Sequence, residues 1–119
     1  MSPENASIFL VEDDKAKAAK IKQKAEAVGH SVLKMVYNRR DAINYARTLE
    51  PGKFNVALID TNLGGSYSAG QDGQDVLETI RRQDPKVKII GISHMDRLEG
   101  ADVPIVNDHD KLPEIIDKL

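Results

Sequence analysis

The sequence predicts a single doubly wound α/β domain, a parallel sheet covered by helices on both faces. Three observations predict it. Five short apolar runs alternate with stretches of helical periodicity, and neighbouring parallel strands need crossovers, which are usually helical. Two of the runs, Phe54–Ile59 and Val87–Ile92, are almost wholly apolar, as strands buried on both faces are. The chain has 119 residues, 40% hydrophobic and 30% charged, which suits one globular domain over 1–119 and is short for two.

The elements follow in order. Ser7–Val11 is a compact run of strand formers that ends abruptly in Glu12-Asp13-Asp14. From Lys15 to Val28, Ala18, Ile21, Ala25 and Val28 recur at helical spacing, and Gly29 stands where a helix C-cap belongs. His30–Val36 reads as a second strand, and Asn38 or Asp41 can cap a helix carrying Ile43, Ala46 and Leu49. Pro51-Gly52 breaks it. Phe54–Ile59, the third strand, also ends in a carboxylate, Asp60, and a polar, glycine-rich loop runs from Thr61 to Gly73. The third helix carries Val76, Leu77 and Ile80 and stops before Pro85. Val87–Ile92 is the fourth strand, ending in Ser93, and Val103–Val106 is a short fifth. Leu112, Ile115, Ile116 and Leu119 place an apolar stripe on a terminal helix over Lys111–Leu119.

Composition excludes several functions. There is no cysteine, so disulfides, thiolate zinc sites, iron–sulfur clusters and a cysteine nucleophile are ruled out. Lys and Arg total 17 against 19 Asp and Glu, a formal charge of −2. That balance gives no basic field for nucleic acid or a membrane surface. No apolar run approaches the roughly 20 residues that span a bilayer, and the polar N-terminus Met-Ser-Pro-Glu-Asn lacks the pattern of a signal peptide. A cytoplasmic protein is expected.

Open α/β sheets place function at the carboxyl ends of their strands. Here those positions are Glu12, Asp13 and Asp14 after the first strand, Asp60 after the third and Ser93 after the fourth. Carboxylates crowded at one edge repel unless one is protonated or a cation sits among them. Oxygen donors without cysteine favour a hard divalent ion, Mg²⁺ before Ca²⁺. The plainer roles are a helix cap for Asp13 or Asp14, a solvated loop residue for Asp60 and a turn residue for Ser93.

Taken together, Ile8–Asp14, Ala57–Leu63, Asp72-Gly73, Ile89–Ser93 and Gly100-Ala101 resemble a response-regulator receiver domain over nearly the whole chain. The resemblance implies a flavodoxin-like, five-stranded parallel sheet in the order 2-1-3-4-5. It implies that Asp60 is the phosphoacceptor, taking a phosphoryl group from a histidine kinase or phosphotransfer protein in a two-component phosphorelay. Asp13 would bind Mg²⁺ directly and Glu12 mostly through water, with Asp60 and the backbone carbonyl of Asn62 completing the site and Ser93 supplying the switch hydroxyl. The chain would then be a phosphoacceptor rather than a turnover enzyme. It would act through contacts with a downstream protein, as a monomer or weak homodimer.

Four departures from the family stand out. The strand-five position where receivers carry Lys is Asn107, followed by Asp108, and Lys111 is the nearest substitute in sequence. The strand-five aromatic is replaced by Pro104. Between Ser93 and Gly100 only His94–Glu99 intervene, fewer than two helical turns, so the fourth helix should be short or missing and the nearby apolar flank bare. The loop Gly64–Gly73 is longer than usual and lacks the familiar Pro. Asn107, Pro104 and the missing fourth helix support an alternative, a non-phosphorylated pseudo-receiver serving as a protein-interaction module. Two enzyme readings fare worse. A Toprim-type nuclease needs Asp-x-Asp where this chain has Asp60-Thr61-Asn62, and a flavodoxin needs a phosphate loop where Glu12-Asp13-Asp14 would repel one.

Overall fold

A computed structural model describes residues 6–61, 63, 71–92, 97–106 and 108–119. Strand β1 (Ser7–Val11) leads to helix α1 (Lys15–Ala27), then β2 (Ser31–Val36), α2 (Arg39–Arg47), β3 (Val56–Ile59), α3 (Gln71–Gln83) and β4 (Lys88–Gly91). A 3-10 turn, His109–Lys111, runs into the last helix, α4 (Leu112–Asp117). The strands pair in parallel in the order β2-β1-β3-β4. One face of the sheet packs Phe9, Val11, Ala57, Ile59 and Ile89 under α2 and α3. The other packs Ile8, Leu10, Leu58 and Ile90 under α1 and α4. Alternation along buried strands supplies both layers. No helix among the described residues is long and apolar enough to cross a membrane.

Helix signals in the sequence match local geometry. Asp14 caps α1, its side chain accepting from the Ala16 and Lys17 N–H groups, and Asn38 caps α2 through the Asp41 N–H. Gly29 takes the left-handed φ of 97° that ends α1. The terminal helix is shorter than its stripe suggests, because the first turn after Asp108 is 3-10. Helix α3 starts two residues before Gly73, so the end of the expected loop is helical. There a Cβ on Gly73 would lie 2.6 Å from the Thr61 Cα. Only glycine lets the helix approach so closely.

The fifth strand does not form. The sheet has four strands, and the expected order 2-1-3-4-5 is corrected to 2-1-3-4, with a lone parallel bridge between Ile90 and Val103. Val103 N–H reaches the Ile89 carbonyl and Gly91 N–H the Val103 carbonyl, but the next bond back to Gly91 comes from Val106. A regular ladder would draw it from residue 105, so one extra residue interrupts the pairing, beside a proline that has no N–H. Side chains fill the gap. Asp102 Oδ2 accepts from Ile89 N–H at 2.8 Å, and Arg81 of α3 binds Asp102 and the carbonyls of Val87 and Gly100.

No helix occurs over residues 97–106, and the rest of the expected missing-helix segment, His94–Asp96, lies outside the described residues. The flank is not bare. Leu98 is fully buried and packs with Ala101 against the α2–α3 side of the core. The large apolar side chains exposed among the described residues are Val28 and Leu33, neither of them on that edge.

Candidate functional site

The central strands bring the first and third carboxylate groups together. Asp60 N–H donates to the Val11 carbonyl at 2.9 Å, and Glu12 N–H to the Val36 carbonyl at 3.1 Å. Both chains therefore leave the sheet at the same level. Carboxylate oxygens of Glu12, Asp13 and Asp60 lie within 4.8 Å of one another. Glu12 is buried, Asp60 is half-buried and Asp13 is exposed, so the cluster has a dry floor and an open mouth. Asp14 stands apart, committed to capping α1. Asn62, Ser93 and Asn107 lie outside the described residues.

Glu12 holds its proton unusually tightly. Its pKa is raised to about 8, first by burial, then by the charge of Asp60 and by hydrogen bonds with Asp13 and Asp60, against the Asp14 N–H that donates to Glu12 Oε1. The folded state thus binds a proton that the unfolded chain releases near 4.5. Stability from this group is full below that value and is lost as pH rises through about 8. Without added metal, the loss should reach on the order of 3 kcal/mol. Urea titrations at pH 5 and pH 8.5 measure it, and equal stabilities would contradict the burial of Glu12.

Asp72 was legible in the sequence only as part of an Asp-Gly pair, and the structure assigns it a supporting place. It is buried at the start of α3, and its Oδ2 accepts from Leu63 N–H at 3.2 Å. Arg39 of α2 reaches Asp72 at 3.7 Å and Asp75 at 2.7 Å. This trio ties the start of α3 to the chain just beyond Asp60. No periodicity in the sequence announces the pairing, because Arg39 and Asp72 meet only when α2 and α3 pack on the same face.

A parallel sheet in this order, with a carboxylate cluster at the carboxyl ends of its central strands, agrees with a family match. The family described as response regulator receiver domain matches residues 8–105. The chain belongs to that family. Several solved structures share the fold of this chain. A CheY-like response regulator receiver domain protein from Methanospirillum hungatei is 24% identical with a TM-score of 0.74, the match covering 96% of this chain and 92% of that one. The BeF3-activated DrrB receiver domain is 21% identical with a TM-score of 0.71, covering 96% of each chain. A mutant of the anti-anti-sigma factor PhyR from Bartonella quintana is 20% identical with a TM-score of 0.72 and 96% of this chain covered. The receiver spans about half of that protein, 48% of its chain. No curated protein matches the receiver in sequence.

Proposed function

We propose that this receiver accepts a phosphoryl group on Asp60 from a histidine kinase or phosphotransfer protein in the cytoplasm and signals through protein contacts. The observation that carries the reading is the carboxylate cluster: three oxygens within 4.8 Å, one on buried Glu12 and one on half-buried Asp60. Glu12 and Asp60 leave adjacent central strands, so the sheet holds the nucleophile in place. In the transfer, an Asp60 carboxylate oxygen bonds to phosphorus as the phosphorus–nitrogen bond of the donor phosphohistidine breaks. The released imidazole nitrogen keeps the electron pair. The acceptor turns over once per phosphoryl group and is not an enzyme in the usual sense.

The donor set fits a hard divalent cation. Carboxylate oxygens alone make up the cluster, and Mg²⁺ takes oxygen ligands while keeping several waters. Glu12, Asp13 and Asp60 would hold it, with the Asn62 carbonyl as the further expected ligand. When bound, Mg²⁺ neutralises charge on the transferring phosphoryl oxygens. Glu12 must lose its proton to serve, since metal ligands bind deprotonated.

The test is intact-mass analysis after incubation with acetyl phosphate and Mg²⁺, followed by mapping of the modified peptide. A gain of one phosphoryl group at Asp60 is expected. An unchanged mass would leave the pseudo-receiver, a module that binds without being phosphorylated, as the function.

A further inference from the structure

The turn that follows the strand-five segment carries a side chain that the transfer step does not use. His109 is half-buried in the 3-10 turn, and its Nε2 lies 3.0 Å from the Ile92 carbonyl oxygen. A carbonyl only accepts, so Nε2 carries the proton and donates. Ile92 follows β4 directly, and its own N–H bonds the Ile59 carbonyl at 3.0 Å. The register that pairs Ile59 with Gly91 sets Asp60 beside Ile92 one step further on. Neighbouring strands lie about 4.8 Å apart. The His109 donor is therefore anchored one strand away from the Asp60 main chain, at the same end of the sheet.

The turn is braced on both sides. Asp108 accepts from the Asp110 N–H at 3.0 Å, and the Asp110 carboxylate pairs with Lys24 of α1. Lys111, the substitute suggested by the sequence, is exposed at the end of the same turn. The position at which receivers carry their strand-five Lys is Asn107, which brings no charge.

We propose that His109 fills the role of that lysine: its Nε2–H binds a phosphoryl oxygen once Asp60 is phosphorylated, exchanging the Ile92 carbonyl for a more highly charged acceptor. The exchange is favourable because a hydrogen bond to an ionised acceptor is stronger than one to a neutral carbonyl. It also frees the Ile92 carbonyl and the turn that leads into α4, linking phosphorylation to the α1–α4 side of the molecule. The inference rests on the phosphoacceptor reading of Asp60.

The experiment uses beryllofluoride with Mg²⁺ as the phosphoryl mimic, beside acetyl phosphate labelling of the same preparations. On adding beryllofluoride, the ring ¹⁵N resonances of His109 should shift in the parent chain. His109→Ala should bind beryllofluoride about tenfold more weakly. His109→Gln, whose amide N–H can take the place of Nε2–H, should recover most of the loss, which a packing role would not explain. If acetyl phosphate adds no mass to the parent, both the phosphoacceptor reading and this inference fail. If the parent is labelled but its His109 resonances stay still, or the His109→Ala variant binds the mimic as tightly as the parent, the role of His109 alone is overturned. Should the alanine variant not fold, the parent's imidazole resonances decide the question.

Discussion

Asp60→Asn is expected to abolish labelling by acetyl phosphate completely and, at the same time, to make the apo-protein more stable near neutral pH. The first effect follows from chemistry, since an amide has no carboxylate oxygen to attack phosphorus. The second follows from the cluster. Asp60 is the leading charge that raises the Glu12 pKa to about 8, after burial itself. Replacing it with a neutral donor removes a like charge beside a buried group. Stability should rise by about 1 kcal/mol at pH 8 and hardly change at pH 5, where Glu12 is protonated in either protein. Urea titrations of parent and variant at the two pH values read this difference. A variant that is less stable at pH 8 would mean that Asp60 is held by favourable contacts that outweigh its repulsion of Glu12.

Gly91→Ala should be the most damaging single methyl addition among the described residues. A Cβ at this position would lie 2.3 Å from the Pro104 carbonyl oxygen and 2.9 Å from the Leu98 Cβ. Neither neighbour can yield cheaply. Gly91 N–H bonds the Val103 carbonyl, its own carbonyl accepts from Val106 N–H, and Leu98 N–H bonds the Pro104 carbonyl, all three at 2.8 Å. The methyl group would push the segment Val103–Val106 off β4 and expose Leu98. The expected cost is roughly 3 kcal/mol or more, measured as a lowered urea midpoint. Gly52→Ala is the comparison: its Cβ would meet nothing within 4 Å, but its φ of 86° is strained for alanine, so about 1 kcal/mol is expected. Gly91 has no positive φ, so a loss no larger than that of Gly52→Ala would show that the segment packed against Gly91 gives way at little cost.

What the sequence determined by itself was the scaffold and the identity of the acidic site. Strand runs such as Ile8–Val11 and Val56–Ile59 are apolar because both faces of the sheet are covered, and that pattern is local. Caps at Asp14 and Asn38, and the stop at Gly29, depend on side chains within three residues or on one backbone angle. The carboxylates were legible because strands of this topology deliver their last residues to one edge, so Glu12, Asp13 and Asp60 could be expected together.

Tertiary structure alone decided the rest, for a common reason: each outcome turns on which distant groups meet. Val103–Val106 has the composition of a strand, yet its ladder against β4 breaks because Val106, one residue late, supplies the bond to Gly91. Its register could not be read from the segment itself. The flank left by the short fourth-helix segment is filled by Leu98, a residue with no periodic partner in sequence. Asp72 and Arg39 meet through the packing of α2 against α3. His109 reaches Ile92 across 17 residues, because a turn braced by Asp108 and Lys24 aims it there. Local pattern specifies elements, whereas hydrogen bonds and charges between elements are fixed only once the sheet and its layers have closed.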